Sequence, residues 1–217
     1  MFTGLVEEIG HVSSIVRRPN AVQLSIRAEI ILKDAKIGDS IAVDGVCVTV
    51  ARFSSTEFTA DVMPETIKAA TLGDLRLNAP VNLERAVKAD GRYGGHFMTG
   101  HVDGVGRITR IIAKGNACYL DIQIAAELLD RMEIKGSVAV DGTSLTVFGL
   151  GSRRLTVSLI QHTANHSVLG DKRVGDRVNI ECDVLQRYIH SHLQAKKRQS
   201  IGGTLTFETL QENGFIN

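Results

Sequence analysis

The chain writes one pattern twice. Ser40-Ile-Ala-Val-Asp-Gly-Val-Cys-Val-Thr-Val50 returns as Ser137-Val-Ala-Val-Asp-Gly-Thr-Ser-Leu-Thr-Val147, with 7 of 11 positions identical and an offset of 97 from Asp44 to Asp141. At the same offset, Thr71-Leu-Gly-Asp-Leu-Arg-Leu-Asn-Ala-Pro-Val-Asn-Leu-Glu84 answers to Val168-Leu-Gly-Asp-Lys-Arg-Val-Gly-Asp-Arg-Val-Asn-Ile-Glu181. Thr3-Gly4, Val6 and Gly10 match Thr99-Gly100, Val102 and Gly106, one residue out of register. Solenoid repeats have periods of roughly 20–50 residues, so a period this long is a duplicated domain. Cys47 answers to Ser144, Leu5 to His101 and Glu65 to His162. Like frames with unlike side chains point to one kind of ligand handled in two ways.

Two halves of about 95 residues are each large enough to form a domain. A hydrophobic content of 43% supplies a core for both, and a net charge of +1 leaves no broad footprint for nucleic acid or an anionic membrane. The three cysteines, Cys47, Cys118 and Cys182, form neither a disulfide framework nor a metal-like cluster. The opening Met-Phe-Thr-Gly-Leu-Val-Glu-Glu turns acidic too soon for a signal peptide. No apolar run approaches the ~20 residues of a membrane span. A soluble, cytoplasmic protein is expected.

The local pattern is one of short strands. Ala21–Arg27 alternates apolar and polar residues. Two β-branched runs, Ile41–Val43 and Val46–Val50, flank Asp44-Gly45, a tight-turn signal, and Glu57–Met63 stops at Pro64. The second copy gives Cys118–Ile124, Ser137–Val140, Leu145–Leu150, Leu155–Ile160 and Arg177–Cys182. About six short strands per half predict a small barrel or sandwich. Brief helical turns are expected near Ala28–Leu32, Thr66–Leu72, Ala125–Met132 and Thr163–Leu169. The glycine-rich stretch Lys88–Phe97 reads as a linker. Beyond Cys182, the residues Val184, Leu185, Tyr188, Ile189 and Leu193 share one helical face, which points to oligomerisation, and Lys196-Lys-Arg is expected to interrupt the helix. A last helix is expected over Thr206–Asn213, with Thr206 as N-cap and Gly214 at its stop.

Cys47 and Thr49 share a strand face just past a tight turn, as do Ser144 and Thr146. Such a thiol is either a nucleophile or a small buried hydrophobe. Gly94-Gly-His96-Phe-Met-Thr-Gly-His101 holds two histidines, and His101 is a candidate for acid–base work. Glu65-Thr66 and His162-Thr163 follow strand ends, where a polar ligand could be hydrogen-bonded. No phosphate-binding loop, dinucleotide fingerprint or Ser-His-Asp signature is present.

These segments together, with the opening Met1-Phe-Thr-Gly-Leu-Val and the closing Glu-Asn-Gly-Phe, resemble the riboflavin synthase alpha-chain family of duplicated lumazine-binding barrels over essentially the whole length. The resemblance implies an all-β fold of two tandem six-stranded Greek-key barrels plus C-terminal α-helices. The boundaries would be 1–96, 97–184 and a helical oligomerisation segment at 185–217. It implies a homotrimer with active sites between the N-terminal barrel of one subunit and the C-terminal barrel of the next. The reaction implied is dismutation of two 6,7-dimethyl-8-ribityllumazine molecules to riboflavin and 5-amino-6-ribitylaminouracil, with no cofactor and no metal. An association with lumazine synthase is compatible with it.

Carried over by position, one pocket comprises Gly4, Leu5, Val6, Cys47, Val48, Thr49, Asp61, Val62, Met63, Pro64, Glu65 and Thr66. The other comprises Gly100, His101, Val102, Lys135, Ser144, Leu145, Thr146, Ile160, Gln161, His162, Thr163, Ala164 and Asn165. His101 and Ser144, with Thr146, are expected in proton transfer or ring orientation. Cys47 is expected to stabilise or supply a nucleophile at the other ring's C7, with Ser40 and Asp183 as further candidates. His162 departs from a Glu matching Glu65. A non-catalytic lumazine or flavin carrier is the alternative, but it should lack part of the Cys47, His101 and Ser144 set.

Overall fold

The computed structural model describes residues 1–18, 21–201 and 207–214. The first copy forms β1 (Glu8–Arg18), β2 (Ala21–Arg27), β3 (Ser40–Val43), β4 (Val46–Phe53), β5 (Glu57–Val62) and β6 (Pro80–Arg85). They close into an antiparallel barrel in the order β1-β2-β5-β4-β3-β6. The second copy repeats this with β7 (Gly104–Lys114), β8 (Ala117–Gln123), β9 (Ser137–Val140), β10 (Thr143–Leu150), β11 (Arg154–Ile160) and β12 (Arg177–Cys182). Closure removes every sheet edge, and this decides barrel over sandwich.

Alternation places one face of each strand in a core. Val46, Val48 and Val50 point inward with Leu24, Ile26, Phe58 and Leu83. Leu145 and Val147 do the same with Leu120, Ile122 and Ile180. The longest strands, β1 and β7, escape the periodicity because each carries a bulge, between Val12 and Ser14 and between Ile108 and Arg110. The extra residue shifts the inward phase halfway along the strand. Helical turns α1 (Pro64–Ala69), α2 (Ala126–Leu129) and α3 (Gln161–Asn165) fill the connections, followed after α1 and α3 by 3-10 turns at Thr71–Asp74 and Val168–Gly170.

The tight turns after β3 and β9 form the seam between the barrels. Asp44 and Gly45 both have positive φ, 46° and 79°, as do Asp141 and Gly142, 44° and 75°. This is the backbone a two-residue hairpin of right-handed twist demands. The turns also press on each other, so that a Cβ on Gly45 would lie 2.7 Å from the Gly142 nitrogen. Asn82 and Asn179 cross the seam reciprocally. Asn82 Nδ2 donates to the Asp141 carbonyl at 2.7 Å, while its Oδ1 accepts from Val168 N at 2.8 Å. Asn179 Nδ2 donates to the Asp44 carbonyl and its Oδ1 accepts from Thr71 N, both at 2.8 Å. Phe2, Ala42, Met98 and Ala139 add an apolar plug. The barrels are thus related by an approximate twofold axis.

Helix α4 (Val184–Ile201) leaves the second barrel. It runs through Lys196-Lys-Arg without the expected interruption, because lysine and arginine are good helix formers. Asp183 caps it, Oδ1 accepting from Leu185 N at 2.8 Å, and Arg187 pairs with Asp103 at 3.2 Å. Val184 is buried, but Leu185, Tyr188, Ile189 and Leu193 are exposed by 54–71%. The stripe therefore does not dock on its own barrel. The last helix, α5, covers Phe207–Glu212, and the Gly214 N–H bonds the Gln211 carbonyl at 3.1 Å; the expected cap at Thr206 lies outside the described residues. No helix among the described residues is long and apolar enough to cross a membrane.

Candidate functional site

Strands β4 and β10 turn their catalytic candidates away from the cores. Cys47 and Ser144 are half-buried on the outer faces, with Thr49 and Thr146 exposed beside them. Val48, Val62 and Leu145 point into the cores, so only their backbone groups can face a ligand. Val50 stands opposite Ala60, and Val147 opposite Val157. The strand ends that carry Cys47 and Met63 therefore meet at one end of the first barrel. Ser144 and Ile160 meet likewise on the second. Met63 and Ile160 are 62% and 57% exposed, an apolar surface suited to a flat ring, and Glu65, Thr66, His162 and Thr163 follow on α1 and α3.

Each copy's opening segment crosses to the other barrel. Cys47 N donates to the Gly100 carbonyl at 2.8 Å, and Val102 packs against the first core. Ser144 N donates to the Gly4 carbonyl at 2.8 Å. Gly100, His101 and Val102 thus lie beside Cys47, and Gly4 and Leu5 beside Ser144, the reverse of an assignment in which each copy supplies its own pocket. The physical reason is the axis: each segment precedes its own β1 or β7 and runs along the seam, where the neighbouring barrel's outer strand is nearer. Among the described residues no hydrogen bond joins Cys47 and His101 to Ser144.

The fold adds a residue that the sequence singled out without assigning a role. His96 Nδ1 lies 2.7 Å from Ser144 Oγ. Burial pushes the His96 imidazole below its usual range, opposed by the charge of Asp183, and its Nε2 is buried without a partner. A neutral ring beside a serine hydroxyl can take or relay a proton. Spacing could not have found this pair, since His96 belongs to the linker. Asp183, whose charge opposes that lowering, also caps α4. Lys135 is exposed in a left-handed turn at φ 69°, its N–H bonding the Val147 carbonyl. Ser40 pairs with Thr49 across β3 and β4 and lines a groove of ≈680 Å3 with Leu5, Asp39, Arg85 and Lys88. His162 and His166 stack with ring centroids 4.2 Å apart.

Of the three thiols, Cys182 is buried and its pKa is pushed up to about 12 by burial, with Asp103 adding to it. Burial also raises Cys118. Neither is suited to nucleophilic work. Under the seam, Lys172 Nζ lies 2.9 Å from Asp141 Oδ2. Burial raises both Asp44 and Asp141; Asp141's charge adds to the first, while Lys172 opposes both. Burial works against the Lys172 charge, yet Asp141 holds it above the usual lysine range. Asp44 and Lys172 line an interbarrel cavity of ≈490 Å3 that contains none of the candidate site residues. Among the described residues, no group of three or more His, Cys, Asp or Glu side chains is placed to hold a metal ion.

Known proteins share the duplicated plan. The lumazine binding domain family matches twice, at residues 3–86 and 99–183. Riboflavin synthase of Bacillus subtilis (strain 168) is 47% identical over 215 residues, covering 99% of this chain and 100% of that protein. Riboflavin synthase of Actinobacillus pleuropneumoniae is 42% identical over 215 residues with the same coverage. Among solved structures, LumP complexed with riboflavin matches with a TM-score of 0.78 at 23% identity, over 84% of this chain and 99% of that one. LumP complexed with 6,7-dimethyl-8-(1'-D-ribityl) lumazine matches with a TM-score of 0.75 at 22% identity, with the same coverage. At that identity the likeness is one of fold.

Proposed function

The chain belongs to the riboflavin synthase family and is a transferase that dismutates two 6,7-dimethyl-8-ribityllumazine molecules to riboflavin and 5-amino-6-ribitylaminouracil; from that premise we propose how its two halves divide the work. The observation that carries the division is the duplication itself: two barrels of one plan present Cys47 with His101 at one mouth and Ser144 with His96 at the other. Two identical substrates meet unequal equipment, as a reaction with one donor and one acceptor requires.

One pocket is built from Cys47, Val48, Thr49, Asp61–Thr66 and Gly100, His101, Val102. The other is built from Gly4, Leu5, Val6, Ser144, Leu145, Thr146 and Ile160–Asn165. Backbone groups at the strand ends read the pyrimidinedione edge, and hydroxyls and carboxylates hold the ribityl chain. His162 takes the ribityl contact that Glu65 makes in the first pocket. The lumazine C7 methyl is acidic because its carbanion delocalises into the ring, so catalysis rests on orienting two rings and on modest proton transfer. Ser144 Oγ, with Thr146 beside it, takes the methyl proton as its own hydroxyl proton passes to His96 Nδ1, leaving the ring carbanion and an imidazolium. Cys47 stabilises or supplies the nucleophile at C7 of the other ring, with His101 alongside.

The exposed stripe of Leu185, Tyr188, Ile189 and Leu193 supports oligomerisation through residues 185–217, following the barrels at 1–96 and 97–184. A homotrimer would place the first barrel of one subunit against the second of its neighbour and bring the two rings face to face, with Lys135 closing the site from the partner's side. The reading includes a cytoplasmic enzyme, with lumazine synthase as an associated supplier of substrate.

The test is to incubate the purified protein, without added cofactor, with 6,7-dimethyl-8-ribityllumazine and separate the products chromatographically. One riboflavin per two lumazines consumed, with the diaminouracil product accumulating, is expected. Tight binding without riboflavin would overturn the reading in favour of a carrier.

A further inference from the structure

Two buried carboxylates hold the crossing segments, and no step of the reaction described above uses them. Glu181 ends β12, and its Oε1 accepts from both Thr99 N and Thr99 Oγ1 at 2.6 Å, its Oε2 from Gly100 N at 3.0 Å. Thr99 Oγ1 in turn accepts from His101 N at 3.2 Å. Glu84 ends β6 and does the same for the other segment, from Thr3 N at 2.6 Å, Thr3 Oγ1 at 2.7 Å and Gly4 N at 2.9 Å. Thr3 Oγ1 accepts from Leu5 N at 3.3 Å. The two clasps superpose on the axis, but one ends on a histidine and the other on a leucine.

We propose that Glu181 is a positioning residue for His101: through Thr99 it fixes the backbone from which the imidazole reaches the Cys47 pocket. This rests on the functional reading above, in which His101 meets substrate. Three donors converge on one carboxylate, which leaves the Thr99–His101 backbone no freedom to rotate. The Gly100 carbonyl, held on the far side by Cys47 N at 2.8 Å, ties the same segment to the thiol strand. His101 and Cys47 are therefore set at a constant separation by one buried anion that touches neither. Burial raises the Glu181 carboxyl against the pull of its Thr99 and Gly100 donors. An amide cannot substitute, because its NH2 would face an N–H that has no other acceptor. Glu84 is the internal control for the histidine: it is buried too, takes the matching donors and ends its relay on Leu5, while its Gly4 carbonyl accepts from Ser144 N.

The experiment uses the full chain and compares wild type, Glu181→Gln, His101→Gln, the double variant and Glu84→Gln. It measures kcat, KM and the pH profile of kcat with lumazine. It also follows the His101 imidazole signals by NMR titration, assigned through their loss in His101→Gln. Misplacing a reacting group by about 1 Å costs on the order of 10²-fold. Glu181→Gln is therefore expected to lower kcat on the order of 10- to 100-fold with little change in KM. The double variant should be no slower than His101→Gln alone, and the His101 titration should move in Glu181→Gln but not in Glu84→Gln. Multiplying losses in the double variant, or an unmoved His101 titration, would overturn the proposal. If Glu181→Gln does not fold, Thr99→Val keeps the carboxylate on its backbone donors and removes only the relay, with the same outcomes expected. A wild type that makes no riboflavin sinks the assigned reaction, and the NMR titration then still decides the Glu181 relay.

Discussion

Along the seam the two barrels share their Asp-Gly turns, crossing asparagines and glutamate clasps, and at their mouths they differ. Asp44-Gly45 meets Asp141-Gly142, Asn82 mirrors Asn179, and the Glu84 clasp mirrors that of Glu181. At the mouths, Cys47 stands where Ser144 stands, and His101 where Leu5 stands. The seam must satisfy one geometric demand from both sides, so each half needs the same donors and acceptors. A mouth must only fit its own share of the chemistry. One difference at the seam carries charge: Lys172, which pairs with Asp141, answers to Leu75 in the first copy. Asp44 and Asp141 thus share one lysine.

Breaking that sharing should have the largest effect. Removing one partner of a buried pair leaves an uncompensated charge, at about 3–5 kcal/mol. Lys172→Met, which copies the apolar first-copy position, is expected to lower the urea unfolding free energy by about 3 kcal/mol at neutral pH. Less should be lost under acid conditions, where Asp141 is protonated and needs no partner. An equal loss at both pH values would mean that packing, not charge, is what Lys172 supplies.

The mouths come next. His96→Gln and His101→Gln should each lower turnover on the order of 10²-fold while leaving the unfolding midpoint close to wild type. They differ in partner: combined with Ser144→Ala, His96→Gln should add little, while His101→Gln should multiply the loss. Kinetic additivity of both pairs would erase the division between the mouths.

Smaller still is the seam's reciprocity. Asn82→Ala and Asn179→Ala each orphan a buried carbonyl and a buried N–H, for about 2 kcal/mol. The two losses should match within experimental error in denaturant titrations. A large inequality would show that the axis is only apparent.

The smallest effect concerns pH. The folded state raises Asp44 above its ordinary range, so the folded protein binds that proton more tightly than the unfolded chain. Its contribution is full below the ordinary carboxylate range and is lost as pH rises through the raised pKa. Asp44→Asn keeps an Oδ1 acceptor for the Asn82 N–H and removes the charge. The variant should therefore show a flatter decline of stability with rising pH; an unchanged slope would place the titration elsewhere.

Much of this was legible in local pattern. The Asp44-Gly45 and Asp141-Gly142 turns follow from residue type, because both positions need positive φ. Strands at Ser137–Val140 and Arg177–Cys182 fall where the β-branched runs place them, and the outward pairs Cys47/Thr49 and Ser144/Thr146 follow from a period of two. The full course of β1 and β7 was not legible, since a bulge breaks the period that reveals a strand. Nor was the continuity of α4 through Lys196-Lys-Arg, where charge was mistaken for a stop.

By itself the sequence determined that there are two like domains, that they are built of short strands, and which side chains differ between them. Those properties are written in neighbouring residues and in one long repeat. Only the tertiary structure decided that Gly100 lies on Cys47, that Gly4 lies on Ser144 and that His96 meets the serine hydroxyl. Such contacts depend on where a twofold axis falls between two closed barrels. That axis is set by the fit of the Asp-Gly turns and the crossing asparagines, and no periodicity along the chain records it.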